Sequence, residues 1–225
     1  MKLLVEACHD QEMSLVVNHA DTKNPGMFSS GDMQAEKTVV LLNSMTPLEI
    51  KHHFLLGMLG RGTGGIILVS SLMGFQGVPC VTNYSATNVY LPDLTETLHY
   101  ESKTSGVEVL VLAAGAMATL RKYLREVDCS KLPVLWMSAE QFVDVALKKM
   151  GEKVFVISGI RNHNMACFSG GLWCRGWVQG VMHKLTNLVL RVQGSHAGSV
   201  LAVNSVSLSL VSLLNCCTGK RRKKR

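Results

Sequence analysis

Gly65-Ile66-Ile67-Leu68-Val69-Ser70-Ser71-Leu72-Met73-Gly74-Phe75-Gln76-Gly77-Val78-Pro79-Cys80-Val81-Thr82-Asn83-Tyr84-Ser85-Ala86-Thr87-Asn88 is the stretch that decides how this chain is read. The aliphatic run Ile66 to Val69 predicts a strand buried on both faces, as in a parallel sheet. Ser71 stands at its end, a loop containing Gly and Pro follows, and Tyr84 opens a helix. The serine and the tyrosine are 13 positions apart, a layout that can bring a hydroxyl and a phenol to one small carbonyl. Position 88, one helical turn beyond the tyrosine, is Asn.

Working outward, the chain alternates strands with helices. Residues 3–12 read as the end of a helix. Ser14 to Val17 is a short apolar strand ended by Asn18, and residues 21–36 are a loop rich in Gly, Asn, Ser and Pro. A helical stretch approaches Asn43. Thr46-Pro47-Leu48-Glu49 then predicts a fresh helix start, with Thr as N-cap, Pro at the first helical position and Glu closing a capping box. Downstream, Leu91, Leu94 and Leu98 form an apolar stripe on the helix from Tyr84, which Pro92 is expected to interrupt at about 3 kcal/mol unless the helix kinks. Val107 to Leu112 and Val154 to Ile157 read as strands, and Ala139 to Lys149 as a helix. The class is α/β, a parallel sheet layered with helices.

Several short motifs, in one order and with consistent gaps, resemble the short-chain dehydrogenase/reductase family, nearest its steroid and long-chain ketoacyl reductases. Ser71 with Tyr84 and position 88 resembles that family's Ser…Tyr-x-x-x-Lys. Leu15-Val16-Val17-Asn18-His19-Ala20-Asp21 resembles its Leu-Val-Asn-Asn-Ala-Gly. Asn43 falls at its structural and catalytic Asn, and Leu56-Gly57-Met58 at its Leu-Pro-Gly-Met. Gly115 and Thr119 fall on its Pro-Gly-x-x-x-Thr. Lys131-Leu132-Pro133, Met137-Ser138-Ala139-Glu140 and Gly159-Ile160-Arg161-Asn162 match the same branch. The resemblance covers residues 13–185. It implies a Rossmann-like parallel sheet, here incomplete, with about four of the family's seven strands. The domain is expected over residues 1–192, and composition sets apart residues 193–225 as an apolar extension ending in a basic run.

The resemblance also implies NAD or NADP chemistry on carbonyl and alcohol substrates. The catalytic positions are Tyr84 as acid/base, Ser71 on the substrate oxygen, Asn43 in a proton relay, and Asn88 where the family keeps Lys. Residual cofactor positions are Asn18, Ala20, Gly115 and Thr119. Two departures matter. Poising a phenol near pH 7 from its ordinary value near 10 takes about 4 kcal/mol of differential stabilisation, and Asn88 brings no charge to supply it. The family also places a Gly-x-x-x-Gly-x-Gly turn in a βαβαβ unit of roughly seventy to ninety residues ahead of the Leu15 strand. About a dozen precede it here, and no such glycine cluster is found near Met1. Asp21 replaces the last glycine of Asn-Asn-Ala-Gly, where a carboxylate would repel pyrophosphate. The expected outcome is an impaired oxidoreductase with an open edge at the Leu15 strand.

Composition bounds the rest. Of the net charge of +7, the run Lys220 to Arg225 supplies six, so the body is near neutral and offers no nucleic-acid face. Seven cysteines without a Cys-x-x-Cys pair argue for an intracellular, reducing compartment. No zinc spacing is present, since adjacent His52 and His53 diverge by about 100° on a helix, and no metal site is expected. Residues 197–217 carry no charge and are long enough to span a membrane, yet contain five serines and two asparagines, so membrane association through a tail anchor and a loosely ordered appendage both stay open. Trp173 and Trp177 suggest an amphipathic helix capping the cleft.

Besides an impaired oxidoreductase, two readings stay open. One is a non-catalytic module that dimerises with an intact paralogous reductase through the helices after Asn43 and from Tyr84. The other is a decayed or partial gene copy.

Overall fold

The computed structural model describes residues 12–118 and 136–160 throughout, together with Cys8, 162–164, Ala166, Gly176, 178–184 and Thr186. Four strands form one sheet in the order β1 (Leu15–Asn18), β2 (Gly64–Ser71), β3 (Val107–Ala114) and β4 (Phe155–Ile157). Every pairing is parallel, with Val16 opposite Ile66, Ile66 opposite Val109, and Leu112 opposite Val156. Among the described residues β1 therefore lies at one edge of the sheet and β4 at the other.

The aliphatic runs become strands because both of their faces are covered. Val16, Ile66, Leu68, Val109 and Val111 pack on one face against Ile50, Phe54, Met58 and Leu91. Ile67, Leu110 and Leu112 pack on the other against Phe142 and Ala146. Each fully buried aliphatic side chain contributes about 1.5–3 kcal/mol. The helices supplying these faces are α2 (Thr46–Arg61) and α3 (Thr82–Ser102) on the first, and α4 (Ala139–Lys149) on the second. A capping box between Ser138 and Gln141 starts α4. Gly62 ends α2 in a left-handed conformation, φ 67°, which glycine adopts without steric cost.

Two local expectations are corrected. Thr46 does not begin a fresh helix. Helix α1 (Met33–Val40) runs into α2 through a widened turn, Leu41–Met45. Thr46 donates both its backbone N–H and its hydroxyl (3.1 Å) to the Leu41 carbonyl. In a regular α-turn the Pro47 ring would meet the Asn43 carbonyl, and widening the turn by one residue avoids that clash. The loop of residues 21–36 is correspondingly shorter, since α1 begins at Met33 with Asp32 accepting from the N–H groups of Gln34 and Ala35.

Pro92 does not end α3, which continues to Ser102. Its missing N–H leaves the Asn88 carbonyl without an intrahelical donor, and the Ser70 hydroxyl fills that place at 2.9 Å. The Leu91 stripe is realised, with Leu91 buried and Leu94 and Leu98 partly so.

Residues 3–7, Tyr123, the segment 131–135, Trp173, Trp177 and residues 197–217 lie outside the described set, as does Thr119. Among the described residues no helix is long and apolar enough to cross a membrane, and no group of His, Cys, Asp and Glu could hold a metal ion. His52 and His53 are exposed. Cys8 is a buried free thiol, and Cys80 is buried.

Candidate active site

The carboxyl ends of β1, β2 and β3 present Asn18, Ser71 and Gly115 along one crest, the edge at which open α/β sheets bind ligands. Ser71 closes β2, and its oxygen accepts the Met73 N–H (3.2 Å), turning the chain into a short 3-10 segment. Tyr84 lies in the first turn of α3, half-buried. The side chains of Ser71, Asn88 and Asp21 lie around its hydroxyl.

The Tyr84 phenol donates to Asp21 Oδ2 at 3.0 Å. This moves the phenol in the direction opposite to catalytic poising. Burial raises its pKa well above the ordinary value, the Asp21 charge raises it further, and the polar side chains of Ser71 and Asn88 nearby oppose both without reversing them. Asp21 was expected near the path of a pyrophosphate; its carboxylate sits instead on the phenol.

Asn88 is buried, and its amide is spent inside the protein. Its Nδ2 donates to the Tyr84 carbonyl (2.8 Å), and its Oδ1 shares the Ser70 hydroxyl at 3.2 Å. A family lysine here would carry a positive charge toward the phenol; Asn88 carries a helix-internal hydrogen bond.

Asn43 occupies the widened turn and is 2% exposed. Its Oδ1 accepts the Thr22 N–H and its Nδ2 donates to the Thr22 carbonyl, both at 2.8 Å. The same Nδ2 approaches Thr87 Oγ1 at 3.2 Å. The amide thus ties the loop after β1 to α3.

Of the four residual cofactor positions, Asn18, Ala20 and Gly115 fall among the described residues. Asn18 is buried with an unpartnered Nδ2, and Ala20 is partly exposed beside Asp21. The Gly115 N–H is taken by Ser158 Oγ (3.1 Å), and a Cβ at this glycine would collide with the Asn162 amide. Gly115 is therefore needed for close packing against Asn162. Among the described residues no glycine-rich turn joins a strand end to a helix N-terminus, the arrangement that holds a pyrophosphate.

Sequence reading missed the partners of these residues. Thr22, Ser70 and Thr87 complete the network, and Glu36, buried, accepts from Asn24 (3.0 Å) and Asn83 (2.6 Å), joining the loop, α1 and α3. The replacement of glycine by Asp21 was the one visible signal.

This parallel sheet with flanking helices, carrying Ser71 and Tyr84 at its crest, defines a Rossmann-like α/β protein. The family profile described as short chain dehydrogenase matches residues 2–128, and the chain belongs to that family. It is 24% identical over 159 residues to a 7beta-hydroxysteroid dehydrogenase of Clostridium sardiniense, covering 71% of this chain and 61% of the relative. It is 31% identical over 115 residues to the very-long-chain 3-oxoacyl-CoA reductase of Rattus norvegicus, covering 51% of this chain and 35% of the relative. The chain thus spans about a third to three fifths of these relatives. A structure from work on 7beta-hydroxysteroid dehydrogenase stereoselectivity superposes with a TM-score of 0.74 at 22% identity, over 80% of this chain and 71% of that one. An NADP complex of a short chain dehydrogenase from Burkholderia cenocepacia gives 0.64 at 19% identity, over 80% and 73%.

Proposed function

We propose that this chain descends from NAD(P)(H)-dependent oxidoreductases of carbonyl and alcohol substrates and is itself impaired in that chemistry. The observation that carries this reading is the environment of Tyr84. The position of the family lysine is a neutral Asn88 folded onto its own helix, and the phenol is stabilised in its protonated form. A phenol held protonated is a poor base for alcohol oxidation and a weak acid for carbonyl reduction. The substrate class of the ancestor is indicated by the relatives, a hydroxysteroid dehydrogenase and long-chain oxoacyl reductases, which act on an oxygen carried by a large apolar body.

Isothermal calorimetry with NADPH and with NADH tests the proposal. The expected result is no binding in the micromolar range; micromolar affinity for either nucleotide overturns it.

A second reading has its own support. Leu41, Met45, Leu56 and Leu59 on the continuous α1–α2 segment are all exposed, at 59, 43, 59 and 37%. An apolar row of this kind on the helix after Asn43 suits a non-catalytic role in which the chain associates with a second subunit of the same family.

A further inference from the structure

The carboxylate on Tyr84 is held there by more than its own hydrogen bond. Thr22, the residue after Asp21, has its backbone N–H and carbonyl both bonded to the side chain of Asn43, each at 2.8 Å. Asn43 is fixed in the widened Leu41–Met45 turn that Pro47 imposes, and Thr87, three residues beyond Tyr84, meets its Nδ2. The loop carrying Asp21 is therefore anchored both to the α1–α2 junction and to the helix that bears the phenol. A phenol has one proton to give, and here it is given to Asp21 Oδ2 at 3.0 Å.

We propose that Asp21 is an internal latch on this site: its carboxylate takes the hydrogen-bond position that a neutral carbonyl ligand requires on Tyr84, and the Asn43–Thr22 clamp keeps it there. A carbonyl oxygen carries lone pairs alone and meets a carboxylate unfavourably, so it reaches the phenol only when Asp21 is displaced or neutralised. Passing the Tyr84 proton to a ligand would leave a phenolate beside a carboxylate, two like charges at hydrogen-bond distance. Asn43, a catalytic position in the family, becomes a positioning residue acting through Thr22. The inference rests on the oxidoreductase descent proposed above. It fails separately from that proposal, because it is read on Tyr84 without any nucleotide.

The experiment is a pH titration of the protein labelled with 13C at tyrosine Cζ, with the four tyrosines assigned through Tyr84→Phe and related variants. In the unmodified protein Tyr84 stays protonated at pH values where added N-acetyltyrosinamide ionises. Asp21→Asn, which keeps the shape and removes the charge, lowers the Tyr84 midpoint by a pH unit or more. Asp21→Ala and Asn43→Ala lower it in the same sense. Added cyclohexanone shifts the Tyr84 resonance in Asp21→Ala and not in the unmodified protein. The latch is overturned if Tyr84 ionises together with the added N-acetyltyrosinamide in the unmodified protein, if neither Asp21 variant moves it, or if the ketone perturbs it equally with and without Asp21. The clamp is overturned if Asn43→Ala leaves the Tyr84 midpoint where it was.

Discussion

The Lys51 ammonium lies buried between α2 and α3 and donates to Thr95 Oγ1 at 3.1 Å. Thr95 in turn donates to the Leu91 carbonyl at 2.7 Å. Desolvation lowers the Lys51 pKa from 10.5 to about 7. The folded chain then binds fewer protons than the unfolded chain between about 7 and 10.5, so stability rises with pH across that window. Below it the cost of the buried charge is fully present, on the order of 4–5 kcal/mol. Urea unfolding midpoints should therefore climb from pH 7 to pH 10. Lys51→Met should stabilise the protein at pH 7 by about 1–4 kcal/mol and flatten that climb. Parallel pH profiles for the two proteins would count against this account.

Ser70 and Pro92 form a compensating pair, because the serine hydroxyl supplies the donor that the proline withholds from the Asn88 carbonyl. Ser70→Ala leaves that buried carbonyl and Asn88 Oδ1 short of a donor and should cost about 1–3 kcal/mol. In a Pro92→Ala background the helix regains its own N–H at this turn, and the same serine deletion should cost less. A double-mutant cycle measured by chemical denaturation should give a coupling of about 0.5–1.5 kcal/mol. Strict additivity would mean that Ser70 serves another partner.

These two cases show where sequence reading succeeds and where it stops. The strands were legible because a sheet covered on both faces demands unbroken aliphatic runs, and Ile66 to Val69 and Val107 to Leu112 are such runs. Ser71 at the end of β2 and Tyr84 in the first turn of α3 were legible because the loop between them is local. Pro92 was misread because its remedy comes from Ser70, on another element. Thr46-Pro47 carried a valid helix-start signal, but the preceding helix tolerates a proline by widening one turn. Asp21 was recognisable as a misplaced charge, yet its target lies 63 positions away, a separation that no local pattern spans.

Returning a charge to position 88 tests the electrostatic account of Tyr84. Asn88→Lys should lower the Tyr84 pKa, by about 1–3 units if the ammonium settles within 4–6 Å of the phenol. The substitution breaks the hydrogen bonds to the Tyr84 carbonyl and to Ser70 and should cost about 1–3 kcal/mol. It should confer no NADPH affinity, since the lysine restores a charge and not a phosphate cradle. Tyrosine-detected NMR and calorimetry on the same variant report the two effects separately. An unmoved phenol would show that burial and Asp21 outweigh any cation at this site.

The exposed leucines of the α1–α2 segment yield the last prediction. Leu41 and Leu56 are each 59% exposed, so replacing either by Glu removes no core contact and should alter stability by no more than about 0.5 kcal/mol. If this face joins two copies of the chain, each charge would be buried without a partner in the complex, at a cost of several kcal/mol. Light scattering over a concentration series should then show an assembled species for the unmodified protein and a monomer for Leu56→Glu, with matching thermal unfolding of the two. A monomer in both proteins would remove self-association from the roles open to this face.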